Sequence, residues 1–144
     1  VTDGTRRVVV VGQVGSPVMN TPEDLRYSSD HEWIRVEGDQ LRVGITDYAQ
    51  DALNDVVYVQ LPEVDATVAA GDSIAEVESS KSVSEIYAPV AGRIVEVNTA
   101  LDGEETRINT DPYGEGWLFV LEPSDPSEVE ALLDAAAYAA LTEG

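Results

Sequence analysis

The sequence predicts a mainly β domain, a compact barrel or sandwich with peripheral helices, and three observations carry this. Short runs rich in Val, Ile, Tyr and Trp are broken at close intervals by Gly, Pro, Asn, Asp and Ser, which is the spacing of strands and turns. Helical spacing occurs in only two places, one short and central and one at the C-terminus. The 144 residues are 43% apolar but only 6% aromatic, enough to bury one core in a domain of this size.

Taken in order, residues 32–36 and 40–45 read as two strands joined by the turn Glu37-Gly38-Asp39. Thr46 stands where an N-cap would, and Ala49, Ala52 and Leu53 follow at helical spacing, so residues 47–53 are expected to form a short helix. Asn54 ends it, since asparagine tolerates positive φ better than most residues. Residues 56–61 read as a strand stopped by Pro62, 73–78 and 83–87 as the arms of a hairpin, and 93–97 as a further strand. Residues 98–116 read mostly as loop and 117–121 as the last strand. The tail reads as one helix. Asp125 is its N-cap, Pro126 occupies the first helical position and Glu128 completes a capping box. Val129, Leu132, Leu133 and Ala136 then form an apolar stripe that packs on the barrel.

Composition excludes several kinds of chemistry. There is no cysteine and a single histidine, His31, so disulfides, thiolate nucleophiles and multi-His or Cys-based metal sites are ruled out. His31 is expected to be structural. Any redox chemistry must come from an attached group. A net charge of −20 would be repelled by nucleic acid and by anionic membranes, and it favours protein partners with basic faces as well as solubility. No apolar run approaches the roughly 20 residues of a membrane span, and residues 8–11 are too short for a signal-peptide core, so a soluble, cytoplasmic protein is expected. Residues 1–18 read as an N-terminal extension, disordered or non-native, because the only methionine is Met19 and the domain pattern starts just after it. The domain is expected to span residues 19–144.

Seven of the eight basic residues are arginine, and Lys81 is the only lysine. A lysine in a turn is usually an ordinary surface residue, and compositional bias toward arginine would thin out lysine anyway. The setting is less ordinary. Lys81 lies in Ser79-Ser80-Lys81-Ser82, between two arms of strand character, with Gly71 ten residues before it and Gly92 eleven after. Along the first arm Ala75 and Val77 alternate with Glu76 and Glu78, which places apolar and acidic side chains on opposite faces. On the return arm Ser84, Ile86 and Ala88 share a face, so Val77 and Ile86 can anchor the hairpin in the core. A stiff turn with an exposed amine suits a swinging cofactor, because tethering raises the local concentration of its reactive end at successive active sites.

The motif Glu78-Ser-Ser-Lys81-Ser82, followed by Ala88-Pro-Val-Ala-Gly92 and Glu96-Val-Asn98, resembles the glycine cleavage system H protein family. Further blocks agree in order: Leu25-Arg-Tyr27, His31-Glu-Trp33, Gly44-Ile-Thr-Asp-Tyr-Ala-Gln50, Asp55-Val-Val-Tyr-Val-Gln-Leu-Pro62, and Asn109 with Asp111-Pro-Tyr-Gly114 and Gly116-Trp117. The resemblance runs from about Glu23 to the C-terminus. It implies a barrel-sandwich hybrid of the lipoyl/biotinyl-like kind, with lipoate in amide linkage on Lys81 and Glu78 as the acid that lipoate-attaching enzymes read. It also implies a non-catalytic carrier. Such a carrier takes the aminomethyl group of glycine from a pyridoxal-phosphate glycine decarboxylase to an aminomethyltransferase, then electrons to dihydrolipoamide dehydrogenase. Asp30, Glu32 and Glu85 match positions lining a cleft that shelters the loaded arm. Three departures accompany the match. Asp30 replaces a hydroxyl residue of some relatives, Ala52 replaces a histidine, and Asn54 stands where glycine is common. The alternatives are an H-like relay of lipoate to other enzymes, an unmodified interaction module, and a biotinyl carrier, which the serines flanking Lys81 disfavour. An enzyme is the weakest reading, because no Gly-rich phosphate loop or Ser-His-Asp pattern is recognisable.

Overall fold

The computed structural model describes residues 21–143. The extension assigned to residues 1–18 lies outside the described residues. The elements, in chain order, are β1 (Arg26–Tyr27), β2 (Glu32–Glu37), β3 (Gln40–Ile45), α1 (Asp47–Leu53), β4 (Val56–Gln60), β5 (Thr67–Val68), β6 (Ser73–Ser79), β7 (Val83–Tyr87), β8 (Gly92–Val97), α2 (Arg107–Thr110), β9 (Phe119–Pro123) and α3 (Ala135–Glu143). Among the described residues, six strands form one sheet in the order β1-β2-β3-β9-β8-β5 and three form a second, β4-β6-β7. All neighbouring strands are antiparallel. No helix among the described residues is long and apolar enough to cross a membrane.

The two sheets close on one core. Ile34, Leu41, Val43, Ile45, Ile94, Phe119 and Leu121 enter it from the larger sheet, and Val56, Ala75, Val77 and Ile86 from the smaller one. This is the mainly β barrel-sandwich arrangement expected from the strand spacing and the resemblance. It follows from the two-residue period of strands, which sends alternate side chains inward and leaves acids such as Glu76 and Glu96 outward. The first hairpin pairs Glu32 with Ile45 and Glu37 with Gln40, with Gly38 at φ +63 in its turn. Helix α1 forms where the sequence places it. The Thr46 hydroxyl accepts the Ala49 N–H at 3.2 Å, and Asn54 follows the helix at φ +68.

The segment read as loop is more structured than expected. Helix α2 lies within it, and Asn109 ties three parts together. Its Oδ1 accepts the Val56 N–H at 2.9 Å, while its Nδ2 donates to the Asn54 carbonyl at 2.7 Å and to Gln50 Oε1 at 3.0 Å. The turns beyond α2 clamp the opening hairpin. Trp33 Nε1 donates to the Pro112 carbonyl at 2.8 Å, and the Asp47 N–H donates to the Tyr113 hydroxyl at 3.0 Å.

The tail corrects the expectation of one helix begun at Asp125. Residues Pro126–Ala131 form a 3-10 turn, with the Asp125 carboxylate accepting the Ser127 N–H. The Glu128 side chain makes no capping box but reaches the Ala91 N–H at 3.3 Å. Leu132 is extended, at φ −75 and ψ 161, and Leu133 exchanges two backbone hydrogen bonds of 2.8 Å with Tyr27. The α-helix begins only at Ala135. The proposed stripe is thus divided among a 3-10 turn, a bridge and a helix. Helix α3 is held by Tyr138, which stacks on Tyr27 at 4.6 Å and shares its hydroxyl with Thr46 Oγ1 at 2.7 Å and His31 Nδ1 at 2.8 Å.

Gly92, five residues beyond the end of β7, starts β8 opposite Pro123. A Cβ there would stand 2.2 Å from the Glu122 carbonyl oxygen, a backbone atom with no rotamer to yield. Gly92→Ala should therefore cost about 2–4 kcal/mol, read as a lower denaturant midpoint in an equilibrium unfolding titration.

Candidate functional site

The site begins with the β6–β7 hairpin. Its register pairs Ala75 with Ile86, Val77 with Ser84 and Glu78 with Val83. Ala75, Val77 and Ile86 face inward and are buried, so the arms are bolted to the core by their apolar faces. Ser79 closes the tip. Its N–H donates to the Ser82 carbonyl at 2.8 Å, and its hydroxyl oxygen accepts the N–H groups of Lys81 at 3.2 Å and Ser82 at 3.0 Å. Ser80 ties the tip sideways, donating its N–H to the Asp55 carbonyl at 3.0 Å. Every backbone N–H of residues 79–82 thus meets a carbonyl or the Ser79 hydroxyl. Lys81 itself is exposed, and its ammonium has no hydrogen bond or ion pair among the described residues.

The structure divides the four acids expected at the site, with Asp30 and Glu32 near one another around Ser28 and Glu78 and Glu85 on the strands of the hairpin. Glu78 lies on the outer face of β6 just before the turn, partly exposed. Asp30 is exposed and lines a depression of about 290 Å³ at the foot of the hairpin, together with Ser28, Gly71, Ala88 and Pro89. Glu85 does not line that depression. It is exposed on β7, and its carboxylate accepts a short hydrogen bond from the Ser73 hydroxyl.

Glu32 departs most from an open cleft wall, for it is fully buried. Its Oε2 accepts the Tyr87 N–H at 2.7 Å and its Oε1 accepts the Ser28 hydroxyl at 3.1 Å. It therefore fastens the return arm of the hairpin to β2. Burial pushes its carboxyl up to about 8, against the pull of the Tyr87 N–H and Ser28 hydrogen bonds, and the nearby Asp30 charge adds to the rise. The glutamate position could be read from the sequence, but its burial could not.

His31 sits beside this group at φ +68, stacked on Tyr48 at 4.8 Å and bonded to Tyr138. Burial lowers its pKa, with Asp30 opposing. Sequence reasoning gave no role to Tyr138 or Ser28. The only signal for Tyr138 was an aromatic residue in an otherwise Ala-rich helix.

Comparison with known proteins places the chain in a family. The family described as Glycine cleavage H-protein matches residues 25–144. This chain belongs to the glycine cleavage H-protein family. The glycine cleavage system H protein of Thermus thermophilus is 56% identical over 125 residues, which cover 87% of this chain and 98% of that one. That of Anaeromyxobacter sp. strain K is 54% identical over the same shares. The crystal structure of the H protein from Mycobacterium marinum superposes with a TM-score of 0.78 at 50% identity, covering 85% of this chain and 99% of the other. The function is that of the family, the lipoyl carrier of the glycine cleavage system.

In this H-protein fold the buried Glu32 makes stability depend on pH. Its folded pKa of about 8 lies above the ordinary 4.5, so between those values the folded chain keeps a proton that the unfolded chain gives up. Its contribution is complete below about pH 4.5, declines as the pH rises and is lost above about 8. Urea midpoints measured at intervals between pH 5 and 8 should fall less steeply with pH in Glu32→Gln than in the wild type, with parallel curves counting against this.

Proposed function

We propose that Lys81 is the residue that carries lipoate, and that this chain serves the glycine cleavage system as a travelling, non-catalytic substrate. The observation that carries the reading is an unpartnered, exposed amine at the apex of a turn whose backbone N–H groups are all hydrogen-bonded. That apex fits the group. An amide on Nζ needs a free lysine amine and room for a long acyl chain, and Lys81 offers both. When bound, lipoate supplies the dithiolane sulfurs that accept the aminomethyl group of glycine and later a pair of electrons.

The chain's own residues hold and present that arm. Ala75, Val77 and Ile86 fix the hairpin, Ser79 shapes the turn, and Lys81 provides the stem. Glu78, three residues before the lysine, is placed to be read by lipoate-attaching enzymes. Lys81 and Glu85 are four residues apart, about 13 Å along an extended strand, and a lysine stem lengthened by an eight-carbon acyl chain spans a comparable distance. The foot of the hairpin, with Asp30 on the depression and Glu32 behind it, is where a loaded arm could lie back. An ammonium there would meet Asp30 directly. Glu32 would act through the position of Ser28 and β7 rather than as an open wall. The catalytic partners in this reading are the pyridoxal-phosphate glycine decarboxylase, the aminomethyltransferase and dihydrolipoamide dehydrogenase.

Two outcomes test the reading. Lys81→Arg should retain the wild-type melting temperature, since the side chain is exposed and makes no hydrogen bond or ion pair among the described residues, yet glycine–bicarbonate exchange with the decarboxylase should drop to the level seen without carrier. Exchange at the wild-type rate by the arginine variant would defeat it. The net charge of −20 should also steer encounter with basic partner faces. Raising ionic strength from about 0.05 M to about 0.5 M should raise the KM for the carrier several-fold with little change in kcat.

A further inference from the structure

The outer face of the carrier hairpin has a composition that the core does not explain. Strand β4 pairs Val56 with Ser79 and Tyr58 with Glu78, so Val57 is an extra residue in a bulge. Regular alternation would turn one of Val57 and Tyr58 inward. The bulge instead turns both outward, and they are 56% and 49% exposed. Across the sheet Glu78 pairs with Tyr58 on one side and Val83 on the other. Cross-strand partners share a face, so Tyr58, Glu78 and Val83 form one row. Val83, two residues past Lys81, is 58% exposed. The next row is Gln60, Glu76 and Glu85, with two carboxylates directly opposite each other, an arrangement that destabilises a sheet. Neither Glu76, Glu78 nor Glu85 forms an ion pair among the described residues. An apolar patch edged by uncompensated acids thus borders the turn. Beside Tyr58 opens a depression of about 390 Å³ lined by Leu61, Leu101, Asp102 and Glu105 among others.

We propose that this face is the seat of the enzyme that acylates Lys81, a protein with an apolar concavity rimmed by basic residues, and that Tyr58 and Val83 are the side chains it closes over. The inference rests on Lys81 being the attachment residue. What selects this partner is reach. The bare lysine stem extends roughly 6 Å by ordinary bond lengths, so an acylating active site must engulf the turn itself. The row from Tyr58 to Val83 spans two strand spacings, about 10 Å, and would lie inside that footprint. An enzyme served by the finished arm meets its reactive end a full acyl chain further out and has no need of the row.

In the step itself the neutral Nζ attacks the carbonyl carbon of a lipoyl adenylate. A C–N amide bond forms, the C–O bond to the phosphate breaks, AMP departs, and the surplus proton of the amine passes to solvent. No oxidation or reduction occurs.

The test uses the full chain in unmodified form, with lipoyl adenylate and a purified lipoate-attaching ligase. For Tyr58→Ser/Val83→Ser, kcat/KM for acylation should fall about tenfold or more, chiefly through KM. Val36→Ser, which alters an equally exposed valine on β2, should leave it unchanged. The double variant, acylated to completion with excess ligase and checked by intact mass, should support glycine–bicarbonate exchange within about twofold of wild type. Acylation of the double variant at the wild-type kcat/KM would overturn the proposal, as would an equal loss in exchange, which would make the patch a general docking surface. Acylation of Lys81→Arg protein would instead remove the attachment residue on which the proposal rests.

Discussion

The inward burial of three side chains, Ala75, Val77 and Ile86, is the constraint on which the rest of the molecule's usefulness depends. A two-stranded hairpin by itself is marginal in water. Here one face is committed to the core shared by both sheets, and a one-residue slip would exchange that face for the acidic one. Ser80, Lys81 and Ser82 can therefore be exposed without the tip wandering. Ser79 holds the turn from within and Asp55 holds it from the side. Glu32 then secures the return arm at its far end through the Tyr87 N–H. A rigid base and an unconstrained tip are produced by the same strand alternation.

Much of this was legible in the sequence, because local pattern and tertiary demand agree there. The opening hairpin, α1 with its Thr46 cap, and both arms around Lys81 follow from periodicity and turn residues. What could not be read depends on contacts distant in sequence. Asn109 looks like a loop residue, yet it satisfies groups on Gln50, Asn54 and Val56. The tail has a sound helix-start signal at Asp125 and Pro126, but the Tyr27 backbone competes for Leu133 and draws the chain into an extended bridge before α3 can begin. Local propensity lost to a long-range hydrogen-bonding opportunity. Glu32 is the corresponding case at the candidate site. Its letter suggested an exposed acid, and only the fold shows it sealed beneath the hairpin.

The distribution of the few cations bears on how the excess of acids is used. Arg42 pairs with Glu37, Arg93 with Asp65 and Glu122, and Arg107 with Glu104 and Glu115. Arg35 and Arg42 also lie over the rings of Trp33 and Trp117. The ion pairs lie at the surface and are individually weak, but together these contacts occupy the guanidinium groups of Arg35, Arg42, Arg93 and Arg107. The hairpin keeps its carboxylates without neutralising neighbours. Its field is thus directed outward at the place where other proteins must approach.

The lone ε-amine at the hairpin apex also has a practical consequence. Among side chains, a reagent selective for primary amines has one address on the unacylated molecule. A dye or photo-activated cross-linker placed there would occupy the position from which the arm departs. Whatever it captured in a cell extract would report, without any engineered handle, which macromolecules come within a few ångströms of that turn.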